Sequence, residues 1–83
     1  MKIVWDENKR LTNLAKHHGM DFADLGPDFF DRAVKRPSPR GRFLAIGLFK
    51  DVVVVAVVYR PLGAEAVSDI SMRPSSRKER KLT

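Results

Sequence analysis

The sequence predicts an α+β domain: one largely antiparallel sheet of about four strands, two N-terminal helices and a short C-terminal helix. Three observations carry this. Apolar residues in the first part of the chain recur at helical spacing. Residues 52–59 are continuously apolar and mostly β-branched, as in a central strand buried on both faces. The β-like runs beside that strand are joined by short connections, which only antiparallel neighbours allow.

The elements follow in order. Residues 2–5 form a short β-like run. Asp6 then caps a helix of about residues 6–18, with Glu7 favourable in its first turn. Leu11, Leu14, Ala15 and His18 fall on its apolar face, and Lys9, Asn13, Lys16 and His17 lie on the other side. Gly19 suits the position after the helix end. Asp21 and Asp24 are spaced as a cap and its partner for a second helix, along which Phe22, Leu25 and Phe29 keep helical spacing. Gly26-Pro27 splits it into two short helices, because proline lacks an N–H and clashes with the preceding turn. Asp21, Asp24, Asp28 and Asp31 make an acidic stripe, read as solvated surface, with keeping RNA off that side as a second reading. Residues 37–41 read as a loop and 42–49 as a strand. Lys50-Asp51 is the hairpin turn, without the glycine a type I′ turn prefers. Residues 61–63 turn the chain and 65–72 form the last strand. Ser76 and Glu79 form a capping box that starts a basic helix.

Eighty-three residues make one domain, residues 1–83, with a thin core that a partner would help to cover. The chain has no cysteine, which excludes disulfides and thiolate metal sites. Its two histidines lack zinc-site spacing. No signal-peptide run opens the chain, and its longest apolar stretch is too short for a bilayer, so no membrane association and a cytoplasmic location are expected. Net charge is +6 and the pI about 10.2, which points to a polyanionic partner. Arg32, Lys35, Arg36, Arg40 and Arg42 form an acid-free run, and from Arg73 onward five bases face one acid.

Several side chains suit phosphate chemistry. Lys9, Asn13, Lys16 and His17 share one helix face, and histidine is the side chain that moves protons near neutral pH. A histidine at a helix end is more ordinarily a cap or a surface group. Arg60 and Arg73 each end a strand, and arginine's planar fork donates bidentately to phosphate. The sequence leaves open whether they share one end of the sheet. Trp5 either stacks on a base or staples the first helix to the sheet. Ser75, Ser76 and Glu79 are explained by capping.

WDENKRLTNLAKHHG, GRFLAIG and ISMRPSSRKER are three ordered blocks that together resemble the BrnT family. The matching positions are Trp5, Asp6, Lys9, Asn13, Lys16, His17, Arg42, Gly47, Arg73, Glu79 and Arg80. The resemblance implies a RelE-like fold and a bacterial type II toxin that acts as a ribonuclease and blocks translation. It also implies a BrnA-like ribbon-helix-helix antitoxin, whose complex with the toxin binds operator DNA. Two departures stand out. The family's Lys-His-Gly is here Lys16-His17-His18-Gly19, so counting from Asn13 selects His17 and counting from Gly19 selects His18. The register from Trp5 favours His17. Pro74 stiffens the strand-to-helix junction, and the short last helix is expected to order on a partner.

On this basis the rim where the last strand meets the last helix is expected to be an RNA groove. His17 is the expected proton-transfer group and Lys16 the alternative. Arg60, Arg73 and Arg77 would stabilise the charged transition state. Lys9, Asn13, Arg42, Arg80 and Trp5 would contact RNA. No metal or cofactor is expected. The alternative is a non-catalytic module that binds antitoxin or nucleic acid as a co-repressor. A metal-dependent hydrolase is disfavoured, because the aspartates cluster on a helix face without a histidine partner.

Overall fold

The computed structural model describes residues 1–83. Strand β1 is Lys2–Trp5 and helix α1 is Glu7–Lys16. A 3-10 turn, Phe22–Asp24, precedes helix α2, Pro27–Arg32. Strands β2 (Val34–Ser38), β3 (Arg42–Phe49), β4 (Val53–Leu62) and β5 (Ala66–Pro74) follow, and helix α3 is Arg77–Arg80. The sheet order is β1-β5-β4-β3-β2, antiparallel throughout except for the parallel pair of β1 with β5.

The sheet therefore has five strands, one more than expected. The extra one, β2, carries Lys35, Arg36 and Pro37 and lies at the edge. Proline and bases are tolerated there because one side of the strand needs no partner. The break at Gly26-Pro27 falls as expected, with Pro27 opening α2 at a position where its missing N–H costs nothing. The β3–β4 turn centres on Lys50 and Asp51, both in the left-handed region at φ 52° and 56°. The bond from Val52 N–H to the Phe49 carbonyl closes it, so Val52 belongs to the turn and not to β4. Pro61 and Leu62 extend β4 instead of turning the chain; that turn lies at Gly63.

One face of the sheet builds the core. The pairing places Phe43, Ala45, Gly47 and Phe49 beside Tyr59, Val57, Val55 and Val53. Phe22, Leu25, Phe29 and Phe30 from the helical layer cover them. Phe22 and Phe30 are almost fully buried, and each contributes roughly 1.5–3 kcal/mol by leaving water. Gly47 lets α2 approach: a Cβ there would lie 3.2 Å from the Phe29 ring and 3.3 Å from Ala33. The outer face carries Arg42, Leu44, Ile46 and Leu48 beside Arg60, Val58, Ala56 and Val54, with Ser71 and Arg73 next to them on β5.

Helix α1 has the expected period but is rotated. The sequence predicts Leu11, Leu14, Ala15 and His18 on its buried side. The structure leaves Leu11, Ala15 and His18 exposed and buries Asn13, with Arg10, Leu14 and His17 half-buried. The helix also ends at Lys16, earlier than predicted, with His17 as its C-cap. The cause is a polar anchor. β1 stops at Trp5, opposite Asp69, so the β5 edge beyond that point has no strand partner. The Asn13 side chain takes the place of one: its Oδ1 accepts the Met72 N–H at 3.0 Å, and its Nδ2 donates to the Met20 carbonyl at 3.0 Å.

Candidate functional site

Because α1 lies along the free edge of β5, a groove runs between them. Asn8, Lys9, Thr12, Asn13, Lys16, Ile70 and Ser71 line about 290 Å³ of space. Ile70 reaches it through a β-bulge. Val58 pairs with Ser71 and Tyr59 with Asp69, so Ile70 is the extra residue on β5. Such bulges re-aim side chains at sheet edges. Lys9, Thr12 and Lys16 lie on one flank of α1, whereas Arg10 on the other pairs with Asp21 at 3.0 Å. Ser71 and Arg73 are two residues apart on one strand and share the outer face. The groove therefore opens onto the face that carries Arg73.

Arg73 is held tightly. Its Nη1 donates to Glu79 Oε1 at 2.7 Å and to the Pro74 carbonyl at 3.3 Å, and its Nη2 donates to Glu79 Oε2 at 2.9 Å. Glu79 is the capping-box residue of α3: its Oε1 accepts the Ser76 N–H at 2.8 Å, and Ser76 Oγ accepts the Glu79 N–H at 3.1 Å. The Arg73 hydrogen bonds, chiefly, hold the Glu79 carboxyl at a pKa of about 2, and the same bonds raise Arg73. The sequence reading gave Glu79 only a capping role. Its separation of six residues from Arg73, across a strand-to-helix corner, is no recognised pairing spacing.

The expected site residues divide. Lys9, Lys16 and Asn13 meet β5 at the groove, but the Asn13 amide is already committed at both ends and is 6 % exposed. His17 does not line the groove; as C-cap it turns with the half-buried side of α1. Arg60 lies opposite Ser68, whereas Arg73 lies opposite Ala56, so roughly 13 Å of β4 separates them on the same face. Arg60 instead reaches the Arg40 carbonyl, at 3.5 Å, beside Arg42. Arg77 and Arg80 are exposed on α3, near Arg73 in sequence and free of acids other than Glu79. Trp5 is half-buried, pairs with Asp69 of β5 and packs against the core. Thr12 and Ser71 are groove residues that sequence reasoning missed; the signal for Ser71 was its place two residues before Arg73 on a strand.

One further side chain was missed. Asp69 is 1 % exposed on the core side of β5, and neither of its oxygens has a hydrogen-bond partner. Burial pushes its carboxyl up to about 7. No three His, Asp or Glu side chains cluster in a way that would hold a metal ion. No helix is long and apolar enough to cross a membrane.

Two comparisons bear on this arrangement. Residues 5–79 match the family described as the ribonuclease toxin, BrnT, of type II toxin-antitoxin system. The chain is also similar to the crystal structure of the Brucella abortus ribonuclease toxin, BrnT, with 52 % identity and a TM-score of 0.85 over 93 % of this chain and 99 % of that one. No curated protein matches the chain.

Proposed function

The chain belongs to the BrnT family of ribonuclease toxins of type II toxin–antitoxin systems, and from that premise we propose that it cleaves RNA on the outer face of its sheet without a metal ion. A type II toxin has an antitoxin partner; the proposed one is a BrnA-like ribbon-helix-helix protein, whose complex with this chain binds operator DNA. The proposed setting is the cytoplasm, and the proposed consequence is inhibited translation.

The observation that carries the proposal is the Arg73 guanidinium, held by Glu79 two residues along β5 from Ser71, which lines the groove that presents Lys9 and Lys16. In the proposed reaction the ribose 2′-oxygen attacks the adjacent phosphorus. The new O–P bond forms as the bond to the 5′-oxygen breaks. A base takes the 2′ proton and an acid gives one to the leaving 5′-oxygen, so the products are a 2′,3′-cyclic phosphate and a 5′-hydroxyl. Arg73 would stabilise the doubly charged phosphorane, with Arg77 beside it. Lys16 lines the groove and His17 does not, which favours Lys16 as the proton-transfer group with His17 as the alternative. Arg60 and Arg42 lie too far along the sheet for the same phosphate and suit one further along the strand, with Arg80 on the α3 side.

The test is expression in bacteria beside Arg73→Ala, following growth and mRNA integrity. Growth arrest with shortened mRNA is expected from the parent. With purified protein in EDTA, Arg73→Ala is expected to lower cleavage about 100- to 1,000-fold, the usual cost of one transition-state donor. RNA that is shifted on a gel but never cut would replace this reading with a non-catalytic binding module.

A further inference from the structure

We infer that Glu79 is a positioning residue that presets one edge of Arg73 for an RNA phosphate, an inference that rests on the RNA site proposed above. A guanidinium has five N–H donors. Both Nη1 hydrogens are committed, one to Glu79 Oε1 at 2.7 Å and one to the Pro74 carbonyl at 3.3 Å. One Nη2 hydrogen goes to Glu79 Oε2 at 2.9 Å. That leaves Nε–H and the second Nη2–H, which lie side by side on one edge of the plane. Two parallel donors are what a phosphate accepts bidentately. The Arg73 side chain is 40 % exposed while Glu79 is 16 % exposed, so the arginine faces solvent and the carboxylate backs it.

The hold is rigid because Glu79 is itself fixed. The Ser76 N–H binds the same Oε1 that accepts from Arg73 Nη1. Ser76 Oγ accepts the Glu79 backbone N–H, and the Ser75 N–H donates to the Val54 carbonyl, which ties the corner to β4. The capping box thus serves the strand end as much as the helix. Pro74 fits this corner: it follows the arginine, stiffens the turn into α3 and supplies the carbonyl that takes the last Nη1 hydrogen.

The test uses the full chain with Glu79→Gln and Glu79→Asp. Glutamine keeps a capping box but offers an N–H₂ to one Nη, so the two-point hold is lost. Aspartate keeps the charge and shortens the reach. Single-turnover cleavage of a short RNA, per folded molecule, is expected to fall about 10- to 100-fold in both variants, as for a misplaced catalytic group. KM is expected to stay the same, or to fall in Glu79→Gln, which removes a negative charge. Affinity for the same RNA with 2′-O-methyl riboses is expected to be retained. Parental kcat in both variants would make the pair purely structural. A raised kcat would mean that Glu79 masks Arg73 and does not position it. Failure of the underlying site reads differently: Arg73→Ala would then cleave like the parent, whatever the Glu79 variants do.

Discussion

Asp69 sits on the core side of β5, paired in register with Trp5 on β1 and Tyr59 on β4. Its oxygens meet no donor, so the protein is better folded with this carboxyl protonated. The folded pKa of about 7 lies above the ordinary 3.8. A raised folded pKa contributes stability that is complete below pH 4 and is lost as pH rises toward 7. At about 1.4 kcal/mol per unit, the loss is roughly 4 kcal/mol. Asp69→Val, which suits a strand facing an apolar core, is expected to stabilise the protein at pH 8 by several times more than at pH 4.5. Urea unfolding of both proteins at pH 4.5, 6 and 8 measures this, and parallel pH curves would refute it. Glu79 acts with the opposite sign. Its carboxyl, held near 2 against the usual 4.5, contributes stability present above pH 4.5 and lost as pH falls toward 2. Together the two carboxyls place their joint optimum near pH 4 to 5.

Helix α1 is docked by one polar side chain as much as by apolar contact. Asn13→Ala would leave the buried Met72 N–H and the Met20 carbonyl without partners. Two such losses cost about 2–4 kcal/mol, or ~10 °C or more in Tm for a domain of this size. Thermal unfolding checks it; a Tm within 2 °C of the parent, with RNA binding reduced, would return Asn13 to the RNA-contact role its sequence position suggests. The order of the elements is legible in the sequence because β4 is a dense β-branched run and because Asp6, Pro27, Lys50-Asp51 and Ser76 mark starts and turns locally. Strand β2 is not legible, since Lys35 and Arg36 read only as part of a basic run and Pro37 as loop, and only pairing with β3 makes them a strand. The buried side of α1 is missed for a related reason: an asparagine does not read as a core residue unless the unpaired edge of β5 is known. The candidate site follows the same rule. Arg73, Lys9 and Lys16 are identifiable by type, whereas the distance from Arg60 and the hold by Glu79 depend on register and on the corner into α3.

Across the whole molecule, charge and aromatic surface are sorted to opposite sides of the sheet. The helical layer carries Asp21, Asp24, Asp28 and Asp31, two of them paired with Arg10 and Lys50. The outer face and its margins carry Lys9, Lys16, Arg42, Arg60 and Arg73. The chain's seven aromatic residues, five Phe, one Trp and one Tyr, all belong to the core or pack against it. None remains on the outer face for bases to stack on, so binding of single-stranded RNA at the proposed site is expected to rest mainly on phosphate contacts and to depend on salt. If Lys9, Lys16 and Arg73 each neutralise one phosphate, log K should fall with log salt at a slope of about −2. Between 50 and 200 mM salt that is roughly a 20-fold loss. Fluorescence anisotropy with 2′-O-methyl RNA, which lacks the attacking hydroxyl of the proposed reaction, measures the slope directly. Arg73→Ala is expected to reduce it to about −1.4, because one phosphate contact is removed. Asp28→Asn, on the helical side, changes the net charge by the same magnitude and is expected to leave the slope unchanged. A slope that moves equally for both substitutions would mean that RNA senses only the net charge of +6 and not this face of the sheet.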